Sequence, residues 1–150
     1  MKSEKVEKWK EYYSNGKLKY EGEYLNGKKW NGKGYNKDGN VDYEIKEGNG
    51  RGKEYDYDDK ILYEGEYLNG ERNGKGKEYY SNGKLKYEGE YLNGKKWNGK
   101  GKEYYSNGKL RFEGEYLNGE INGKGKEYYR NGKLEFEGEY LNGERNGKGK

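Results

Sequence analysis

The sequence predicts an all-β protein, an elongated single-layer antiparallel β-meander of tandem β-hairpins. Three observations lead there: a period of 24 or 25 residues, Asn-Gly steps at two turn positions in each full period, and alternation of aromatic or Gly residues with Lys and Glu between those turns.

The string YEGEYLNG begins at Tyr20, Tyr63 and Tyr87, and FEGEYLNG begins at Phe112 and Phe136. The extra residue in the longer period sits in the turn Lys95-Lys96-Trp97-Asn98, and the Tyr20 copy has the same long turn at Lys28 to Asn31. Between Tyr20 and Tyr63 lies a degenerate copy starting at Tyr43, with Ile45 where the others carry Gly and a shortened turn around Gly48 to Gly52. An incomplete unit, Lys10 to Lys19, leads the array. The expected organisation is thus a lead segment over 1–9 and a repeat array over 10–150, with repeats starting near 20, 43, 63, 87, 112 and 136.

Asn-Gly between alternating segments favours a two-residue type I′ hairpin turn, which needs positive φ at both central residues. Two such turns per period predict two strands per repeat. With Asn69-Gly70 as a turn, Leu68 pairs with Glu71, Gly65 with Gly74, Glu64 with Lys75 and Tyr63 with Gly76. The same rule at Asn82-Gly83 pairs Tyr80 with Leu85, Glu78 with Tyr87, Lys77 with Glu88, Gly76 with Gly89 and Lys75 with Glu90. One face then collects Tyr63, Tyr67, Tyr87 and Tyr91 with the strand glycines, and the other collects Glu64, Glu66, Lys75, Lys77, Glu88 and Glu90. The charged face reads as an ion-pair ladder in which Lys75 lies between Glu64 and Glu90. Glycine rows let Tyr rings lie over bare backbone and allow the sheet to bend.

Composition fits a thin layer better than a conventional core. Hydrophobic residues make up 27% of the chain and charged residues 40%, which would favour disorder, but an aromatic fraction of 17% opposes it. The net charge is only +4, with Lys and Glu interleaved, so no nucleic-acid partner is expected. Around Val6 the first residues carry Lys and Glu with no apolar run, which makes a cytoplasmic location the default.

Those residues resemble the MORN repeat, whose pattern is an aromatic-Glu-Gly-Glu-aromatic strand, an Asn-Gly turn and a Gly-x-Gly strand. Tyr63-Glu64-Gly65-Glu66-Tyr67, Asn69-Gly70 and Gly74-Lys75-Gly76 fit it position by position. Tyr79-Tyr80-Ser81-Asn82-Gly83-Lys84-Leu85 resembles the variant found in bacterial MORN-like proteins. The resemblance implies scaffolding, dimerisation or attachment to anionic phospholipid membranes, and by analogy with some bacterial relatives an antitoxin or immunity role. It brings no catalytic residue and no cofactor. Two departures stand out: Ile45 in the degenerate copy, and Asn31, Asn73, Asn98, Asn122 and Asn146 where the family commonly has His.

Catalytic chemistry finds little to work with. The chain has no His and no Cys, and Ser14, Ser81 and Ser106 each precede an Asn-Gly turn. Carboxylates such as Glu64 and Glu66 recur opposite Lys in each repeat, and Gly74-Lys75-Gly76 lies within a strand with no helix after it to form a phosphate loop. The Asp residues gather at Asp38, Asp42, Asp56, Asp58 and Asp59 without the spacing of a calcium loop, so they read as a diverged turn and no metal is expected. The expectation is a non-catalytic scaffold that binds a protein partner. Its candidate contact residues are Trp30 and Trp97, which break the polar rim at the long turns, with Tyr67, Tyr91 and Tyr116 from the aromatic face. Peripheral binding to anionic phospholipid through exposed Lys is the alternative. An open strand edge at Lys148-Gly149-Lys150 adds an expected homodimer through terminal edges.

Overall fold

The structure is a computed structural model that describes residues 5–146, the side chains of Trp97 and Asn98 excepted. These residues form one antiparallel sheet of thirteen strands, each hydrogen-bonded to the next in chain order. The strands are β1 (Val6–Tyr12), β2 (Leu18–Leu25), β3 (Lys28–Tyr35), β4 (Val41–Lys46), β5 (Asn49–Tyr55), β6 (Ile61–Leu68), β7 (Glu71–Tyr79), β8 (Leu85–Leu92), β9 (Lys95–Tyr104), β10 (Leu110–Leu117), β11 (Glu120–Tyr128), β12 (Leu134–Leu141) and β13 (Glu144–Arg145). Val6 to Trp9, placed in the lead segment by sequence, already pair with β2. The described residues include no helix long and apolar enough to cross a membrane.

The two Asn-Gly turns of a repeat differ in geometry. At Asn69-Gly70 both residues have positive φ, 53° and 80°, as a type I′ turn requires. Asn26, Asn93, Asn118 and Asn142 repeat this geometry, and Glu47-Gly48 supplies it in the degenerate copy. At Asn82-Gly83 only Gly83 has positive φ, its amide donates to the Tyr80 carbonyl at 2.9 Å, and the Tyr80 amide donates to the Lys84 carbonyl at 2.8 Å. That is a three-residue loop with its left-handed residue at Gly83. It moves the pairing next to the turn by one residue, so Tyr79 faces Leu85 where the sequence predicts Tyr80.

The register after the I′ turn also needs correcting. Leu68 pairs with Glu71 as expected, but Gly65 pairs with Gly76, Glu64 with Lys77 and Tyr63 with Glu78. A bulge at Asn73-Gly74 accommodates two extra residues on β7, and Gly74 takes φ 75° there. The Glu66 carboxylate accepts the freed Lys75 amide at 2.6 Å, and Glu115 does the same for Lys124 at 2.7 Å. Because the slip is by two, each side chain keeps its expected face. Lys77, not Lys75, therefore lies between two glutamates, Glu64 and Glu88.

The slip aligns the glycines. Gly52, Gly65, Gly76, Gly89, Gly101, Gly114, Gly125 and Gly138 are paired neighbours in one row across β5 to β12. A Cβ on Gly76 would lie 2.5 Å from the Tyr63 hydroxyl, and one on Gly125 would lie 2.6 Å from Cε1 of Phe112. The aromatic rings thus occupy the volume that any other residue would fill.

The N-terminal repeats are laid out differently. Gly34-Tyr35 leads straight into its turn, whereas Gly76-Lys77-Glu78-Tyr79 has two more residues. The β3–β4 hairpin is shortened accordingly, and Gly22 pairs with Gly32 and Gly32 with Ile45. Beyond this recessed turn the β1–β2 and β5–β6 turns meet: Tyr13 packs edge-on against Tyr55, with ring centroids 5.7 Å apart.

Candidate interaction surfaces

The aromatic face is a closed layer. Tyr63, Tyr87 and Phe112 are essentially inaccessible, and they join Tyr67, Tyr91, Tyr116 and Tyr140 in a chain of edge-to-face contacts 5.2–5.8 Å apart. Cations lie over the rings: the Arg72 guanidinium 4.3 Å from the Tyr63 centroid, and the Lys96 ammonium 4.5 Å from that of Tyr87. Arg72 forks onto Glu54 through Nε and Nη2, both at 2.9 Å, and reaches Glu78 through Nη1 at 3.0 Å. The Tyr67 hydroxyl donates to Glu54 at 2.5 Å, and the Tyr116 hydroxyl donates to Glu103. Burial first, then the neighbouring carboxylate, pushes both phenols far above their ordinary range.

Tyr67, Tyr91 and Tyr116, expected as partner contacts, are 8%, 3% and 5% exposed and serve as core. A sheet with one apolar face hides that face when long cationic side chains fold over it, an arrangement that residue counts alone do not reveal. Trp30 is half-buried at a bulge in β3 and packs over the backbone of Gly48, whose amide donates to the Trp30 carbonyl at 2.8 Å. Trp97 stands in β9, and its side chain lies outside the described residues, as do Lys148, Gly149 and Lys150.

The opposite face holds a groove of about 1120 Å³ running from β5 to β12, its floor the glycine row and its sides Lys and Glu. One charged row alternates as Lys53, Glu64, Lys77, Glu88, Lys102, Glu113, Lys126 and Glu137. Its ion pairs include Lys77–Glu88 at 3.5 Å and Lys126–Glu137 at 3.8 Å. The second row alternates from Arg51 through Glu66, Lys75, Glu90, Lys100 and Glu115 to Lys124 and Glu139. The sequence did not single out this face as a site, although its alternating charges were legible.

A third surface is the edge formed by the three-residue turns. There Lys84, Lys86, Lys109, Arg111, Arg130 and Lys133 are exposed, beside Tyr129 and Leu134, each 50% exposed. Neighbouring turns are stitched together: the Tyr80 and Tyr105 hydroxyls donate to the carbonyls of Tyr104 and Tyr128 at 2.6 Å, and the Asn82 side chain donates to the Ser106 carbonyl at 2.9 Å.

Asp42, Asp56, Asp59 and Ser14 have structural partners. Asp42 pairs with Lys53 at 2.7 Å, and Asp56 accepts the amides of Asp58 and Lys60 at 2.8 and 3.0 Å. Asp59 takes the left-handed turn position with φ 60°, where the sister turns carry Gly16, Gly83, Gly108 and Gly132, and binds Ser14 and Lys19.

A single sheet of stacked hairpins, stabilised between neighbours and presenting long continuous faces, defines a repeat scaffold. The model for the MORN repeat matches residues 20–34, 63–84, 112–133 and 136–150, and the model for the MORN repeat variant matches 8–26 and 97–118. Together these segments span more than half of the chain, which belongs to the MORN-repeat family, a family of repeat scaffolds. No curated protein matches it.

Proposed function

We propose that the chain is a non-catalytic scaffold that binds a protein partner along the groove of its charged face. The observation that carries this reading is the alternation of the groove walls. Each row contains as many acidic as basic residues, so the groove has a polar pattern without a net field. Such a surface favours a partner of mixed charge over a polyanion. The aromatic face is occupied by its own cations and offers less accessible apolar area.

The test is recovery of a specific protein on the intact chain and on a variant with Lys77→Trp and Lys102→Trp, which fills the groove, with folding checked by circular dichroism. Loss of that protein from the folded variant is the expected result. Equal recovery moves the binding site away from the groove.

A second reading, attachment to anionic membranes, is supported by the basic turn edge. Each uncompensated Lys or Arg at such a surface adds about 1 kcal/mol, and Tyr129 and Leu134 add exposed apolar surface beside them. Flotation with phosphatidylserine vesicles, compared with neutral vesicles and with a variant in which those six basic residues are Gln, separates this reading from the first.

A further inference from the structure

The two charged rows of the groove differ in how their charges are used. In the second row Arg51, Lys75, Lys100 and Lys124 are exposed, and among the described residues no carboxylate forms an ion pair with any of them within 4 Å. The cause is local. Glu66, opposite Arg51, turns to accept the bulge amide of Lys75, and Glu115, opposite Lys100, turns to accept that of Lys124.

These four cations stand on β5, β7, β9 and β11, every second strand along the groove. Strands lie about 4.8 Å apart, so the cations repeat at about 9.6 Å. Seven residues of α-helix rise about 10.5 Å, which places one carboxylate per heptad within reach of successive cations. The intervening strands carry Glu66, Glu90 and Glu115 in the same row, so a basic residue three or four positions after each acidic one completes the match. A helix also fits the backbone chemistry of the site. The floor is a sheet face whose peptide groups are paired with neighbouring strands on both sides, leaving none for an extended peptide to bond. A helix brings its own hydrogen bonds already made.

We infer that the groove takes an α-helical segment of a protein partner bearing carboxylates at seven-residue spacing with basic residues between them. This rests on the groove reading above and specifies the chemistry of its occupant. The probe is a synthetic Ala-based helix of four heptads with Glu at each heptad position and Lys midway, compared with an isomer of the same composition and helicity with the charges shuffled. Fluorescence anisotropy should give a Kd at least about tenfold lower for the matched helix, with the difference shrinking at high salt. Lys75→Glu with Lys100→Glu, which sets carboxylates against two of the matched glutamates of the helix, should abolish that preference.

Equal Kd values for the two isomers, or no binding by either, overturn the inference. A partner still lost from the groove-filled variant in that case leaves the groove reading standing. The inference fails alone, and the two failures are distinguishable.

Discussion

Asp59 accepts two hydrogen bonds from Ser14, forty-five residues earlier, one from the backbone amide at 2.7 Å and one from the hydroxyl at 2.6 Å. Its other carboxylate oxygen lies 3.1 Å from the Lys19 ammonium, which sits 5.2 Å from the ring centroids of both Tyr13 and Tyr55. The contact joins the β1–β2 turn to the β5–β6 turn and closes over the shortened β3–β4 hairpin between them. Among the described residues no side-chain hydrogen bond spans more of the sequence.

The Ser14 hydroxyl, then its amide, and the Lys19 charge hold the Asp59 carboxyl at about 2, below its ordinary 3.8. The folded value lies below the unfolded one, so the contribution is complete above about 3.8 and is lost as pH falls through about 2. Asp59→Asn, which still tolerates the left-handed backbone, should lower Tm at neutral pH, and its gap from the parent should close between about pH 4 and 2. A gap unchanged at the acid end means that the charge is not what joins the turns.

Arg72 should matter far more than the lysines of the charged ladder. Its side chain is 22% exposed, and removing it leaves Glu54 and Glu78 without their shared cation. Arg72→Met is expected to cost about 1–3 kcal/mol by chemical denaturation, less than a fully buried pair because the site is partly open to solvent. Lys77→Met, at a pair nearly half-exposed, should cost under about 1 kcal/mol. Burial works to raise the Glu54 carboxyl, and the bonds from Arg72 and Tyr67 outweigh it and bring it below its ordinary value. That stabilisation is present above the unfolded value and lost as pH falls through the folded one. In Arg72→Met burial acts with less opposition, so the stability gap should narrow on acidification.

The strand glycines and the turn glycines should fail for different reasons. Gly76→Ala puts a methyl group into the Tyr63 ring, an overpacking expected to cost about 1–3 kcal/mol. Gly83 has open space around it but φ 85°, so Gly83→Ala should cost about 1–2 kcal/mol through backbone strain alone. Repeating both in a Tyr63→Val background separates the causes: the Gly76 penalty should shrink and the Gly83 penalty should remain.

The repeat, its two strands and the faces of the strand centres were legible because a period of two survives the slip by two at the bulge, whereas next to the three-residue turn, at Tyr79 and Leu85, the slip is by one. The register was not, since the bulge at Asn73-Gly74 depends on Glu66 reaching back to the Lys75 amide, a contact between strands. The role of Tyr67, Tyr91 and Tyr116 was legible only in part. Alternation assigns them to a face, but their burial depends on Arg72 and Lys96 folding over their neighbours. The Ser14–Asp59 contact has only one local trace, an Asp at the turn position where sister repeats carry Gly.

Two Asn-Gly steps that look alike in sequence should respond differently to the same pair of substitutions. Asn69 has φ 53° in a type I′ turn, so Asn69→Ala should cost about 1 kcal/mol or more, and Asn69→Gly, which carries no penalty at positive φ, should recover most of it. Asn82 lies outside the left-handed region, and its side chain works through bonds instead, accepting the Lys84 amide and donating to the Ser106 carbonyl, both at 2.9 Å. Asn82→Ala should lose about 0.5–1.5 kcal/mol from those bonds. Asn82→Gly should do no better, because it restores neither bond and adds chain entropy to the unfolded state. Urea midpoints for the four variants check the pattern: rescue by Gly at both positions would mean that Asn82 also depends on a left-handed backbone, and rescue at neither would mean that Asn69 acts through its side chain.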